Sequence, residues 1–96
     1  MRRMIHAIKI HENYADPVFI GEKTFEVREN DRGYQRGDLI DFTVVDNFGI
    51  KVLSHPLNDT RYEITYVLGS FRGLADGWVV FGIREVDGRD YERGAE

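Results

Sequence analysis

The chain has 96 residues, 42% hydrophobic and 12% aromatic, with 13 lysines and arginines against 17 acidic residues and a formal net charge of −4. This is one domain with apolar content for a single core, and its acidic balance argues against a purely electrostatic, non-specific nucleic-acid binder. Cysteine is absent, which excludes disulfides and thiolate zinc sites, and no apolar run resembles a membrane span or a signal-peptide core, so a cytoplasmic chain with no membrane partner is expected.

Met4 to Ile10 alternates, with His6, Ile8 and Ile10 on one side and Ile5, Ala7 and Lys9 on the other, and reads as a strand. A single histidine on that inward face is a core or cleft residue. His6, His11 and His55 lack metal-ligand spacing with any acidic partner, so neither metal nor cofactor is expected. From His11 to Ile20 the period changes. Tyr14, Val18 and Phe19 recur at helical spacing, Asn13 is a candidate cap, Gly21 suits the position after the helix end, and Pro17 belongs in the first turn of a short or irregular helix.

Gly21 to Asp38, GEKTFEVRENDRGYQRGD, concentrates charge around few apolar side chains. Read as a strand, Thr24 to Glu29 places Thr24, Glu26 and Arg28 on one face and Phe25 and Val27 on the other; the apolar pair is assigned to the core and the charged pair to a cleft. Gly33 and the Arg36-Gly37-Asp38 turn lead into Leu39 to Asp46, where Ile40, Phe42 and Val44 form an inward face. Asn47-Phe48-Gly49 is a turn, and Lys51 to Thr60 a weak strand or loop. Arg61 to Leu68 is a strand with Ile64, Tyr66 and Leu68 on one side and Thr65 and Val67 on the other. Gly69 to Gly77 is a Gly-rich loop whose Phe71 and Leu74 are candidates to fold back as a plug. Trp78 to Arg84 is almost continuously apolar and fits a central strand. Residues 1–86 thus form one domain, and 87–96, with no apolar period, read as a disordered tail. Five or six short strands with one early helix make an α+β, mainly β fold, a small mixed barrel closed to protect its edges. A single helix argues against parallel pairing.

The motif Gly21-x-Lys23-Thr24-x-Glu26-x-Arg28 resembles the GxKxxExR signature of ASCH domains, a branch of the PUA-like superfamily. Its extension Asn30-Asp31-Arg32, with Gly37-Asp38 and Gly73-Leu74-x-x-Gly77-Trp78-Val79-Val80, is similar to a short prokaryotic and phage branch of uncharacterised function. The resemblance spans roughly His6 to Ile83. It implies a PUA-like β-barrel with an early helix, and a motif-lined cleft that binds RNA or a modified nucleoside.

The residue chemistry is compatible with such a ligand. Lys23 and Arg28 suit phosphate, Glu26 and Asp31 can accept from base amino groups, and Tyr14, Tyr34 and Tyr66 are candidate stacking surfaces. The candidate site is Lys9, Lys23, Glu26, Arg28, Asn30, Asp31, Arg32 and Tyr66. The bland alternative makes Glu26 and Arg28 ion-pair partners that fix the loop, with Lys23 or Arg32 as further partners. A related branch deacetylates N4-acetylcytidine and resembles this chain at Gly21, Lys23 and Arg28. Its nucleophilic threonine falls where this chain has Glu26, and its helical insertion with a catalytic glutamate is missing between Leu68 and Trp78. An amidohydrolase would use Lys23, Thr24 and Glu26, but binding is the preferred reading. A third is a phage or mobile-element protein-interaction module anchored by Trp78 or Phe71.

Overall fold

The computed structural model describes residues 3–86, so the tail assigned to 87–96 lies outside the described residues. Five strands form one curled half-barrel sheet: β1 (Ile5–His11), β2 (Phe25–Glu29), β3 (Leu39–Val45), β4 (Arg61–Gly69) and β5 (Trp78–Glu85), in the order β1-β3-β4-β5-β2. One helix, α1 (Glu12–Phe19), follows β1, and a 3-10 turn (Pro56–Asp59) precedes β4. The alternations of β1 and β3 behave as the sequence predicts. His6, Ile8 and Ile10 face inward with Ile40, Phe42 and Val44, and the same core takes Leu57, Tyr62, Ile64, Phe81 and Ile83.

Two expectations about the sheet fail. β1 and β3 pair in parallel, Ile5 opposite Leu39 through His11 opposite Val45. A parallel pair needs a crossover of about a dozen residues or more; here α1, β2 and the following turn together supply it, so one helix is enough. The barrel is also not closed by backbone. β1 and β2 are the two sheet edges and share no ladder, leaving a seam between them.

Local chemistry explains how the chain reaches that seam. The helix cap is His11, not Asn13: its Nδ1 accepts from Asn13 N at 3.0 Å. Pro17 sits inside the helix rather than in its first turn. At the C-terminus Gly21 N donates to Val18 O (3.1 Å) and Glu22 N to Pro17 O (2.9 Å), with Gly21 at φ +87°. That is the Schellman arrangement, in which the residue after the cap adopts a left-handed conformation that glycine takes without strain. Lys23 N also donates to Pro17 O at 3.0 Å. The first glycine of the motif therefore turns the chain and fixes where Lys23 begins.

β4 carries a bulge. Its pairing with β5 shifts between Ile64 and Tyr66, so Tyr62 and Ile64 point inward while Tyr66 falls opposite Gly82 on the outer face. The extra residue reverses the expected alternation beyond Ile64. The Oγ1 of Thr65 lies 2.6 Å from where a Cβ on Gly82 would stand, so glycine is the residue that fits beneath the bulge. Phe71 is exposed and Leu74 only half-buried, so the 70–77 loop is not a plug.

Beyond β2, Asp38 organises the turn into β3. Its carboxylate accepts from Met4 N (3.2 Å) and Gln35 N (3.0 Å) and pairs with His6 Nε2 at 2.8 Å, all buried or half-buried. His6 is thus a satisfied core residue that ties β1 to this turn.

Candidate functional site

The alternation assigns Phe25 and Val27 to the core and Glu26 and Arg28 to a cleft. The structure overturns the first assignment and keeps the second. Phe25 and Val27 are 45% and 48% exposed, and Glu26 only 4%. Glu26 opposes Phe81 on β5 and Arg28 opposes Val79, both inward positions, whereas Phe25 and Val27 oppose Gly82 and Val80 on the outer face. The periodicity is right and the charged pair does border a cavity, but that side of β2 is the inward one, where the carboxylate is compensated by two cations. Glu26 Oε1 accepts from Arg28 Nε (3.1 Å) and an Arg28 terminal nitrogen (3.0 Å), while Oε2 is paired with Lys23 Nζ. A buried carboxylate is tolerated when its oxygens are bonded in this way.

Arg28 then crosses the seam. Its terminal nitrogen donates to the carbonyl oxygen of Lys9 on β1 at 2.7 Å. This side-chain bridge joins the two sheet edges where no backbone ladder does. The ion-pair reading of Glu26, Arg28 and Lys23 is therefore what the structure contains, and the charge of Glu26 is not free for a ligand.

Two cavities of about 430 Å³ each lie along the seam, and Lys9 and Arg28 border both. One is completed by Ala7, Ile8, Glu29, Asp31, Arg32 and Tyr34. The other is completed by Ile10, His11, Tyr14, Lys23, Glu26 and Val27. Four cations, Lys9, Lys23, Arg28 and Arg32, meet three carboxylates, Glu26, Glu29 and Asp31, along this seam. The local excess is positive on a chain whose net charge is −4. Lys23 and Arg28 are committed to Glu26, but Lys9 and Arg32 make no ion pair with another described residue.

The three candidate tyrosines separate. Tyr14 is 58% exposed at the mouth of its cavity, with Lys23 Nζ 5.7 Å from its ring centre and His11 edge-on at 6.4 Å. Tyr34 is no stacking surface, since its ring packs between His6 (4.8 Å) and Phe81 (4.7 Å) in the core. Its hydroxyl has no protein partner among the described residues and is not sealed from solvent. Burial raises its pKa above the usual 10.0, and the positive charges of Arg28 and Arg32 only partly oppose this. It remains a hydrogen-bond donor at neutral pH. Tyr66 is exposed on the far face of the sheet and borders neither cavity; the bulge carried it there.

The remaining candidates divide in the same way. Lys9, Lys23, Glu26, Arg28, Asp31 and Arg32 converge on the seam. Asn30 does not: its Oδ1 accepts from Tyr34 N at 3.0 Å and shapes the turn. Thr24 is exposed and borders neither cavity, and its carbonyl accepts from Ile83 N at 3.0 Å. Sequence reasoning missed Ala7, Ile8, Ile10, His11, Val27 and Glu29 as cavity walls, and took Tyr34 for a stacking ring rather than a wall residue with a free hydroxyl. Only the helix-cap position of His11 left a local signal.

Among the described residues no helix is long and apolar enough to cross a membrane. An uncharacterised 12.9 kDa protein encoded in the GpA 3′ region of Escherichia phage P2 is 45% identical over 40 residues. That match spans 42% of this chain and 37% of the phage protein. Residues 5–83, which include every strand but the end of β5 and the whole seam, match the family described as a domain of unknown function, DUF3850. The chain belongs to the DUF3850 family.

Proposed function

We propose that the seam between β1 and β2 binds single-stranded RNA or a nucleotide-like ligand, and that the fold is an ASCH/PUA-like one, as the Gly21, Lys23, Glu26 and Arg28 motif suggests. The observation that carries the reading is the pair of uncommitted cations, Lys9 and Arg32, beside Arg28 on a cavity wall that also presents the Tyr34 hydroxyl. Uncommitted cations grouped on an acidic chain favour an anionic partner, and phosphate contacts of this kind position a nucleic acid without reading its sequence. The exposed ring of Tyr14 in the adjoining cavity supplies a face on which an unpaired base can stack.

Lys23 and Arg28 are poor choices for a test, because removing either strips a partner from buried Glu26. The informative variant is Lys9→Ala with Arg32→Ala, which leaves that group intact. Fluorescence anisotropy with a short labelled single-stranded RNA is expected to show binding that weakens with salt. At a contribution of ~0.7 per phosphate contact on a single strand, the double variant lowers the log–log salt slope by about 1.4. No binding by the parent chain, or an unchanged slope in the variant, refutes the proposal.

A further inference from the structure

Arg28 does more than join the sheet edges: its side chain, running from Glu26 to the Lys9 carbonyl, stands on the border of both cavities and divides the seam in two. The two sides differ in chemistry. On one, Lys9 and Arg32 are free of ion pairs and the Tyr34 hydroxyl is a donor without a protein acceptor. On the other, the exposed Tyr14 ring stands beside His11, in a cavity that Ile10 and Val27 also border. Hydrogen-bond donors without acceptors on one side and an aromatic face on the other match the two halves of one molecule.

We infer that the ligand is a nucleoside monophosphate unit, its base on Tyr14 and its phosphate between Lys9, Arg32 and the Tyr34 hydroxyl, with Arg28 beneath the sugar between them. The assignment rests on the nucleotide-binding reading above and deepens it. Charge limits the number of phosphates. The phosphate side has three cations, Lys9, Arg28 and Arg32, but also two carboxylates, Glu29 and Asp31, and Arg28 is already shared with Glu26. One phosphate finds donors there. A triphosphate carries further negative charge against Glu29 and Asp31, where like charges repel.

The test is titration calorimetry of the full chain with each common ribonucleoside, its 5′-monophosphate and its 5′-triphosphate. For at least one base the monophosphate binds about tenfold more tightly than the nucleoside, the scale of one charge-assisted contact, and more tightly than the triphosphate. In Arg32→Ala the advantage over the nucleoside collapses to about twofold or less, while Tyr14→Ala weakens nucleoside and monophosphate alike and preserves their ratio. Free nucleotides and the phosphorylated end of an RNA share this chemistry. Comparing one short RNA with and without a 5′-phosphate identifies the source: a preference for the phosphorylated strand points to RNA ends, and equal binding to the free nucleotide. If RNA binds with the expected salt dependence but monophosphates show no advantage, or one that Arg32→Ala leaves intact, this assignment is wrong and the broader reading stands. If neither RNA nor nucleotides bind, both are wrong.

Discussion

Removing the Arg28 guanidinium should open the half-barrel at its weakest join. In Arg28→Ala the buried Glu26 carboxylate loses two hydrogen bonds, at 3.1 and 3.0 Å, and the Lys9 carbonyl loses one at 2.7 Å. The two bonds to Glu26 end on the same oxygen and count as one forked contact of ~1.5–3 kcal/mol, and the bond to Lys9 adds about 1 kcal/mol. Lys23 still pairs with the carboxylate, so the ~3–5 kcal/mol cost of stranding a buried charge is not reached in full. The expected loss is about 2–4 kcal/mol, or roughly 10 °C or more in Tm for a domain of this size. Urea and thermal unfolding followed by circular dichroism measure it. Arg28→Lys, which keeps the charge without the fork, should lie between parent and alanine variant. An Arg28→Ala chain within about 0.5 kcal/mol of the parent, the range of ordinary surface substitutions, would show that the side-chain bridge does not hold the seam.

Other substitutions test the account at separate points. Gly21→Ala should cost about 1 kcal/mol by chemical denaturation, with Gly21→Asn milder, because φ is +87° there and no neighbouring atom is within 4 Å of an added Cβ. Gly82→Ala fails for the opposite reason, a contact with Thr65 Oγ1; it should lose about 1–3 kcal/mol, and less in a Thr65→Ala background, a coupling that a double-mutant cycle reads directly. Tyr62 is buried, and burial, reinforced by the charge of Glu85, pushes its pKa from 10.0 up to about 12. The folded state then holds a proton that the unfolded chain releases first, so this contribution is complete below pH 10 and falls away as pH rises towards 12. Tyr62→Phe should flatten the decline in stability over that window and remove the latest step of a phenolate absorbance titration.

Much of the fold was legible because burial and periodicity coincide in β1 and β3. His6, Ile8, Ile10, Ile40, Phe42 and Val44 all took the faces their alternation assigns. Gly21 was readable for a related reason, since a helix that ends in a Schellman turn asks for glycine at one position. Two devices hid the rest. The bulge at Thr65 adds a residue that no propensity marks, and it moved Tyr66 from the expected inner face to the outer one. β2 misled by its chemistry: hydrophobic-in and polar-out is a sound rule for a strand with one wet face, but Glu26 enters the interior with two cations attached while Phe25 and Val27 face outward. The seam itself depends on which strands are edges, and the parallel pairing of β1 with β3 that leaves β1 and β2 at the edges is a long-range fact. Lys9 and Arg32, far apart in sequence, meet only after that pairing forms.

The claim that the seam is the ligand site is tested most directly by mapping amide chemical shifts while a short single-stranded RNA is titrated into the full chain. The account predicts perturbations on both banks of the seam, at Lys9, Tyr14 and the Arg28 to Tyr34 segment, and none at Tyr66 on the outer face. Shifts gathered instead on Tyr66, Phe25 and Trp78, with the seam unmoved, would contradict it.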